Sequence, residues 1–267
     1  MPTYLERLRA AIAARGALCV GLDPHPSLLE RWGLPDDVSG VERLALGVIA
    51  ALGDRVAAFK PQSAFFEVFG AAGLRVLERA IADAQAAGAL VIVDAKRGDI
   101  GSTMEAYAQA YLGAGPLGGD ALTVSPYLGF EALAPAFEAA EANGKGVYVL
   151  ARTSNPEGGA VQLATVEGGS SVVQHIVDQA TGRNRRTGLQ AIGLVVGGTH
   201  GTVGADLRLF AGPILVPGLG AQGATLEDIR RLFADTAATV LPTSSRDVLL
   251  AGPSPAGLRA KVADLVG

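Results

Sequence analysis

Val91-Ile92-Val93-Asp94-Ala95-Lys96-Arg97-Gly98-Asp99-Ile100-Gly101-Ser102-Thr103 is an apolar run that breaks into charge and then into helix-starting residues. That is one β-strand followed by one α-helix. Asp94 and Lys96 are two apart, so on a regular strand they project to the same side. Asp99 and Thr103 are four apart and share a face of the helix that follows. At its plainest the stretch is a salt bridge at a strand end and an N-cap at a helix start. Seven further apolar runs extend the pattern: Leu18–Asp23, Val56–Pro61, Ala121–Ser125, Gly146–Arg152, Ile192–Gly197, Ile214–Gly218 and Ala238–Thr243. Most are continuously apolar, as in parallel strands covered on both faces. Helical patterns lie between them, among them Ser63–Ala87, Met104–Leu112, Glu131–Ala142 and Leu226–Phe233, and Leu258–Val266 closes the chain. An amphipathic helix from Tyr4 to Ala14 precedes them. Repeats of this number and length predict an α/β fold, a single (β/α)8 TIM barrel over 1–267. A doubly wound open sheet is the alternative built from the same unit.

Composition narrows the function. The chain has 267 residues, is 49% apolar and carries a formal charge of −4, which argues against nucleic acid or an anionic membrane as partner. Cys19 is the only cysteine and sits in an apolar run as a small core residue. A disulfide framework is thereby excluded, which points to a cytoplasmic protein. No apolar stretch reaches membrane-spanning length, and the N-terminus lacks a signal-peptide pattern.

In such a barrel the chemistry sits where strands end. These ends carry Asp23, Lys60, Asp94 with Lys96, Ser154, Gln222 with Gly223, and Arg246. Lysine is scarce, occurring only at 60, 96, 145 and 261, so two lysines at strand ends stand out. Gly218, Gly220 and Gly223 let backbone amides approach an anion, and Arg246 adds a fork suited to phosphate oxygens. Thr153–Ala191 is too long for a simple crossover and reads as a functional loop with a helix near Ser171–Gln179. Its Arg183, Arg185 and Arg186 read as a solvated helix end. His25, His175 and His200 are scattered without acidic partners at ligand spacing, so no metal site is expected. His25 reads as a turn residue, and His200 as lying near the mouth without a role there.

Asp94-Ala95-Lys96-Arg97-Gly98-Asp99-Ile100-Gly101-Ser102-Thr103 resembles the signature Asp-x-Lys-x-x-Asp-Ile-x-x-Thr of the orotidine 5′-phosphate decarboxylase family, in its longer bacterial branch. Gly21-Leu22-Asp23-Pro24, Phe59 to Glu67, Ser125 to Gly129, Pro217 to Gly223 and Ser244-Ser245-Arg246 follow in the expected order. The resemblance implies conversion of orotidine 5′-phosphate to UMP and CO2 in pyrimidine synthesis, with no metal and no cofactor. It implies a charge chain of Lys60, Asp94, Lys96 and Asp99, with Lys96 protonating C6. It also implies a homodimer in which Asp99, Ile100 and Thr103 enter the neighbouring subunit's site. Asp23 and Lys60, with Asp99 and Thr103 from across the interface, would contact ribose, Ser154 and Gln222 the pyrimidine, and Gly223 and Arg246 the phosphate, which Gln222 would also reach. Two other readings compete. One is a Mg2+-dependent sugar-phosphate decarboxylase or aldolase, which needs an acid where Lys60 stands. The other is a nucleotide-binding barrel that has lost catalysis, which needs a broken charge chain.

Overall fold

A computed structural model describes residues 2–221 and 223–266. Among them, eight strands pair in chain order and close into a parallel barrel. They are β1 Cys19–Leu22, β2 Ala58–Pro61, β3 Leu90–Arg97, β4 Ala121–Val124, β5 Gly146–Arg152, β6 Ile192–Val196, β7 Pro213–Pro217 and β8 Thr239–Ser244. β8 returns to β1 through Cys19 opposite Thr243, so the sheet has no free edge and an open doubly wound arrangement is ruled out. Each strand lies within two residues of its sequence-read run. Burial on both sides leaves little room for error.

The helices depart further from expectation. Ser63–Ala87 splits into Ala64–Glu67 and Gly70–Ala86, because Gly70 takes a left-handed φ of 58°. Val172–Thr187 runs eight residues beyond the C-terminal end of the helix expected near Ser171–Gln179, and it packs on β5 and β6. It is therefore the ordinary crossover helix, and the true insertion is the shorter segment 153–171. Arg183 is not a solvated helix end. Its guanidinium bonds both carboxylate oxygens of Glu141 at 2.7 and 2.8 Å and covers the Phe137 ring, tying the crossover helix to its neighbour Ala134–Asn143. Arg185 and Arg186 are exposed. Between β6 and β7 the chain forms turns and no helix.

Two apolar layers hold the barrel. Leu, Val and Phe side chains between strands and helices make the larger one. The smaller fills the interior with Cys19, Ala58, Ile92, Tyr148, Leu215 and Leu241, capped by Tyr4 and Leu8. Helix Tyr4–Arg15 starts at a capping box between Thr3 and Glu6. It closes the end of the barrel where the strands begin, with Tyr4 and Tyr148 hydroxyls 2.9 Å apart in the core. Burial pushes the Cys19 thiol up to about 12, so it stays neutral and unreactive.

Asp120, just before β4, fastens that closed end. Its carboxylate accepts from Arg7 on the capping helix, from Gln85, and from the Val91 backbone N–H at 2.9 Å. Asp120→Ala strands all three donors and is expected to destabilise the fold by about 3 kcal/mol in denaturant titration, leaving the activity of the folded protein unchanged. A midpoint equal to that of the parent protein would remove Asp120 from this role.

Candidate active site

At the opposite end, where the strands finish, lies a cavity of about 630 Å3 whose lining includes Asp23, Lys60, Asp94, Lys96, Ser154 and Arg246. They come from five positions around the barrel, with Asp94 and Lys96 both on β3, as parallel strands ending on one rim allow. Asp94 is the centre. Its Oδ2 accepts from Lys60 Nζ at 2.7 Å, and its Oδ1 from Lys96 Nζ at 2.6 Å. Lys60 Nζ also lies 4.0 Å from Asp23 Oδ1. Asp94 and Lys60 are both about 5% exposed, so neither charge would survive there alone. Burial by itself would raise the Asp94 carboxyl, but the Lys60 and Lys96 ammonium groups outweigh it and hold the pKa well below the usual carboxylate range. Burial likewise works against the Lys60 ammonium, and Asp94 and Asp23 overcome it, raising that pKa above the ordinary lysine value.

Lys96 differs from Lys60 in being accessible, with 44% of its side chain open to solvent. Its Nζ also reaches Gln62 Oε1 at 3.3 Å, while Gln62 Nε2 donates to the Asp94 carbonyl. A pinned acid thus holds one buried ammonium and one that faces the cavity. That pattern suits stabilising negative charge on a bound molecule and then delivering a proton to it.

The long insertion supplies a wall. Gln162 Oε1 accepts from the Arg152 guanidinium and the Thr153 amide, and its Nε2 donates to Thr153 Oγ1 at 2.7 Å. This folds the loop back so that Ser154 faces the cavity. Only glycine fits at position 197, where a Cβ would come within 2.9 Å of the Ser154 backbone. His200 bonds the Thr153 carbonyl at 2.8 Å and lines a neighbouring cavity. His25 lines the main cavity, its ring 4.2 Å from that of Phe65.

Other expected residues are placed elsewhere. Asp99 precedes helix Gly101–Leu112 and its carboxylate accepts from the Ile100 amide, so it shares no helix face with Thr103. Asp99, Ile100 and Thr103 do not line the cavity of their own chain, and Ile100 and Thr103 are exposed. Gly223 faces the neighbouring cavity and its amide donates to the Gly220 carbonyl at 2.7 Å. Gln222 lies outside the described residues. Thr123 and Gln62, by contrast, join the site without having been singled out from sequence. The available signal for Thr123 was its being the one polar residue in Ala121-Leu122-Thr123-Val124. Among the described residues no three His, Cys, Asp or Glu side chains gather as a metal-holding group. Among the described residues no helix is long and apolar enough to cross a membrane.

Comparisons with known proteins bear on the fold and the family. Residues 16–260 match the model of the orotidine 5′-phosphate decarboxylase / HUMPS family. An orotidine 5′-phosphate decarboxylase from Salinispora arenicola is 57% identical over 262 residues, covering 97% of this chain and 94% of its own. That from Streptomyces coelicolor is 51% identical over 264 residues, covering 97% and 94%. The crystal structure of a Streptomyces avermitilis protein provisionally assigned the same activity superposes with a TM-score of 0.95 at 50% identity, covering 100% of this chain and 94% of that one. Leishmania donovani OMP decarboxylase superposes with a TM-score of 0.78 at 28% identity, covering 99% and 96%. The chain belongs to the orotidine 5′-phosphate decarboxylase / HUMPS family.

Proposed function

We propose that this enzyme, a carboxy-lyase, removes CO2 from C6 of orotidine 5′-phosphate and leaves UMP, with Lys96 as the proton donor. The observation that carries the reading is the Lys60–Asp94–Lys96 chain at the cavity floor, with contacts of 2.7 and 2.6 Å. When the C6–carboxylate bond breaks, its electron pair stays in an in-plane orbital at C6 that the ring π-system does not delocalise. Fixed positive charge must meet that pair. The accessible Lys96 ammonium supplies it and then gives one proton to C6, becoming a neutral amine that solvent reprotonates. Asp94 accepts from both ammonium groups, so its charge is largely neutralised, and it serves chiefly to orient Lys96.

The remaining roles are those that the family resemblance implies. Asp23 and Lys60, which line the cavity, would contact the ribose and Ser154 the pyrimidine, and Gln222 is assigned to the pyrimidine by resemblance alone. Arg246 takes the phosphate, with the Gly223 amide joining it once freed from Gly220. A barrier reduction of roughly 20 kcal/mol is needed for so slow a reaction. One preorganised donor gives about 3–4 kcal/mol. Phosphate binding must therefore help hold the site in its working geometry. The Mg2+-dependent reading is disfavoured because the Lys60 ammonium, lying between Asp23 and Asp94, fills the place a cation would take.

The working form is a homodimer located in the cytoplasm, its Asp99, Ile100 and Thr103 entering the partner's site. Support comes from an apolar rim on the loops after β2, β3 and β4. Ile100 and Tyr127 there are 62% and 81% exposed, and Val68 and Leu128 are exposed beside them in the loop order. Such side chains are normally covered.

The direct assay mixes purified protein with orotidine 5′-phosphate and EDTA and follows the loss of substrate absorbance; no turnover would sink the assignment, and dependence on Mg2+ would restore the alternative. Lys96→Ala is expected to bind UMP by calorimetry yet lose more than about 10³-fold in kcat; comparable turnover would remove its role. Arg246→Ala is expected to lower kcat/KM by about 10²-fold or more although the guanidinium grips the far end of the substrate, and near-normal kcat/KM would break the proposed coupling. Mixing inactive Lys96→Ala and Asp99→Ala proteins is expected to restore about a quarter of parental activity, because half the dimers regain one intact site. Failure to recover any would show that Asp99 does not cross the interface.

A further inference from the structure

The pairing of β3 with β4 is irregular at the point where the chemistry is set. Val93 pairs with Leu122 and Arg97 with Val124, so Asp94, Ala95 and Lys96 all face the single residue Thr123. Two extra residues on one strand leave backbone groups without ladder partners and bend the strand. Lys96 absorbs the bend at a φ of 47°, a left-handed conformation unusual for a lysine. The Thr123 hydroxyl bridges the bulge. It accepts from the Lys96 backbone N–H at 3.0 Å and donates to Asp94 Oδ1 at 2.8 Å. Thr123 is 1% exposed, and its neighbours Ala121, Leu122 and Val124 are all buried and apolar.

We propose that Thr123 is a positioning residue for decarboxylation, its hydroxyl clamping Asp94 and the strained Lys96 backbone into one rigid unit. The inference rests on the functional reading given above. Strained backbone persists only where its surroundings over-determine it, and the Thr123 side chain bonds the backbone N–H of the strained residue itself. Asp94 receives bonds from Lys60 on β2, Lys96 on β3 and Thr123 on β4. Lys60 holds Oδ2, while Thr123 and Lys96 share Oδ1. Without the hydroxyl, Lys96 N–H loses its acceptor, Oδ1 loses a fixed donor, and the carboxylate and the lysine backbone gain freedom together. The exposed lysine then samples positions away from C6. Misplacement on the scale of an ångström is enough to cost about 10²-fold in rate.

The test compares Thr123→Val, which keeps the shape without the hydroxyl, with Thr123→Ser, which keeps the hydroxyl, beside the parent enzyme. Thr123→Val is expected to lower kcat by about 10²-fold while KM stays within about 3-fold, and Thr123→Ser to recover kcat to within about 3-fold. Parental kcat in Thr123→Val, or a Ser variant as slow as the Val variant, overturns the proposal while the parent's turnover keeps the functional reading intact. An inactive parent enzyme overturns the functional reading instead. A crystal structure of Thr123→Val decides independently of activity: Lys96 still at positive φ with Nζ bonded to Asp94 Oδ1 overturns the clamp. Should Thr123→Val not fold, Thr123→Ala carries the same comparison. Loss of fold in both, with Thr123→Ser folded, would make Thr123 a stability residue and overturn its assignment.

Discussion

Asp94 can stay ionised inside the barrel rim only because two ammonium groups and a hydroxyl reach it from three adjacent strands. A lone buried carboxylate would take up a proton to escape the cost of lost hydration. Paired on both oxygens, it becomes instead the fixed point about which the two lysines are arranged. Its partners are not equivalent. Lys60 is sealed between Asp23 and Asp94 and serves as counter-charge, whereas Lys96 keeps an open face toward the cavity. One acid thus holds a buried cation beside an accessible one.

That arrangement depends on barrel closure. Lys60, Asp94 and Thr123 are brought within hydrogen-bond reach by parallel pairing of β2, β3 and β4, with residue 62 bridged to residue 94 beyond the end of β2. The two ends of the barrel divide the work. Tyr4, Leu8 and the Arg7–Asp120 contact seal the end where strands begin. At the other end polar residues replace the apolar filling, and the insertion after β5 adds a wall pinned by Gln162. The connection from β6 to β7 dispenses with a helix, leaving a second cavity of about 610 Å3 behind the loop that follows β7. The site is rigid where charge is handled and built from loops where the substrate's remaining parts would sit.

The strands were legible because continuous apolar runs bounded by Gly, Pro and charge have few other places to go in a chain of this length. Helix ends were less so. Gly70 interrupts a pattern whose apolar spacing runs straight through it, and spacing does not report φ. The crossover helix Val172–Thr187 was underestimated because Arg183, Asn184, Arg185 and Arg186 read as a polar tail. Arg183 in fact spends its charge on Glu141, and Asn184 is buried against Ile192. Among site residues, Asp23, Lys60, Asp94, Lys96, Ser154 and Arg246 were marked by being polar at the ends of apolar runs, and all six line one cavity. Thr123 and Gln162 were not, since a threonine suits any strand and a glutamine any loop.

Local pattern by itself determined the number and order of βα units, and with them the rim on which charge collects. It also determined which side chains are available for chemistry there. The tertiary structure decided how Lys96 comes to meet Asp94. The expectation of two residues on one face of a regular strand names the right pair for an incomplete reason. The strand is bulged at that point, Lys96 is turned to positive φ, and a hydroxyl from the next strand holds the bulge in place. Such a contact joins residues 27 positions apart. It leaves no periodic trace in the sequence because it involves one side chain, once, at a register that only closure of the barrel creates.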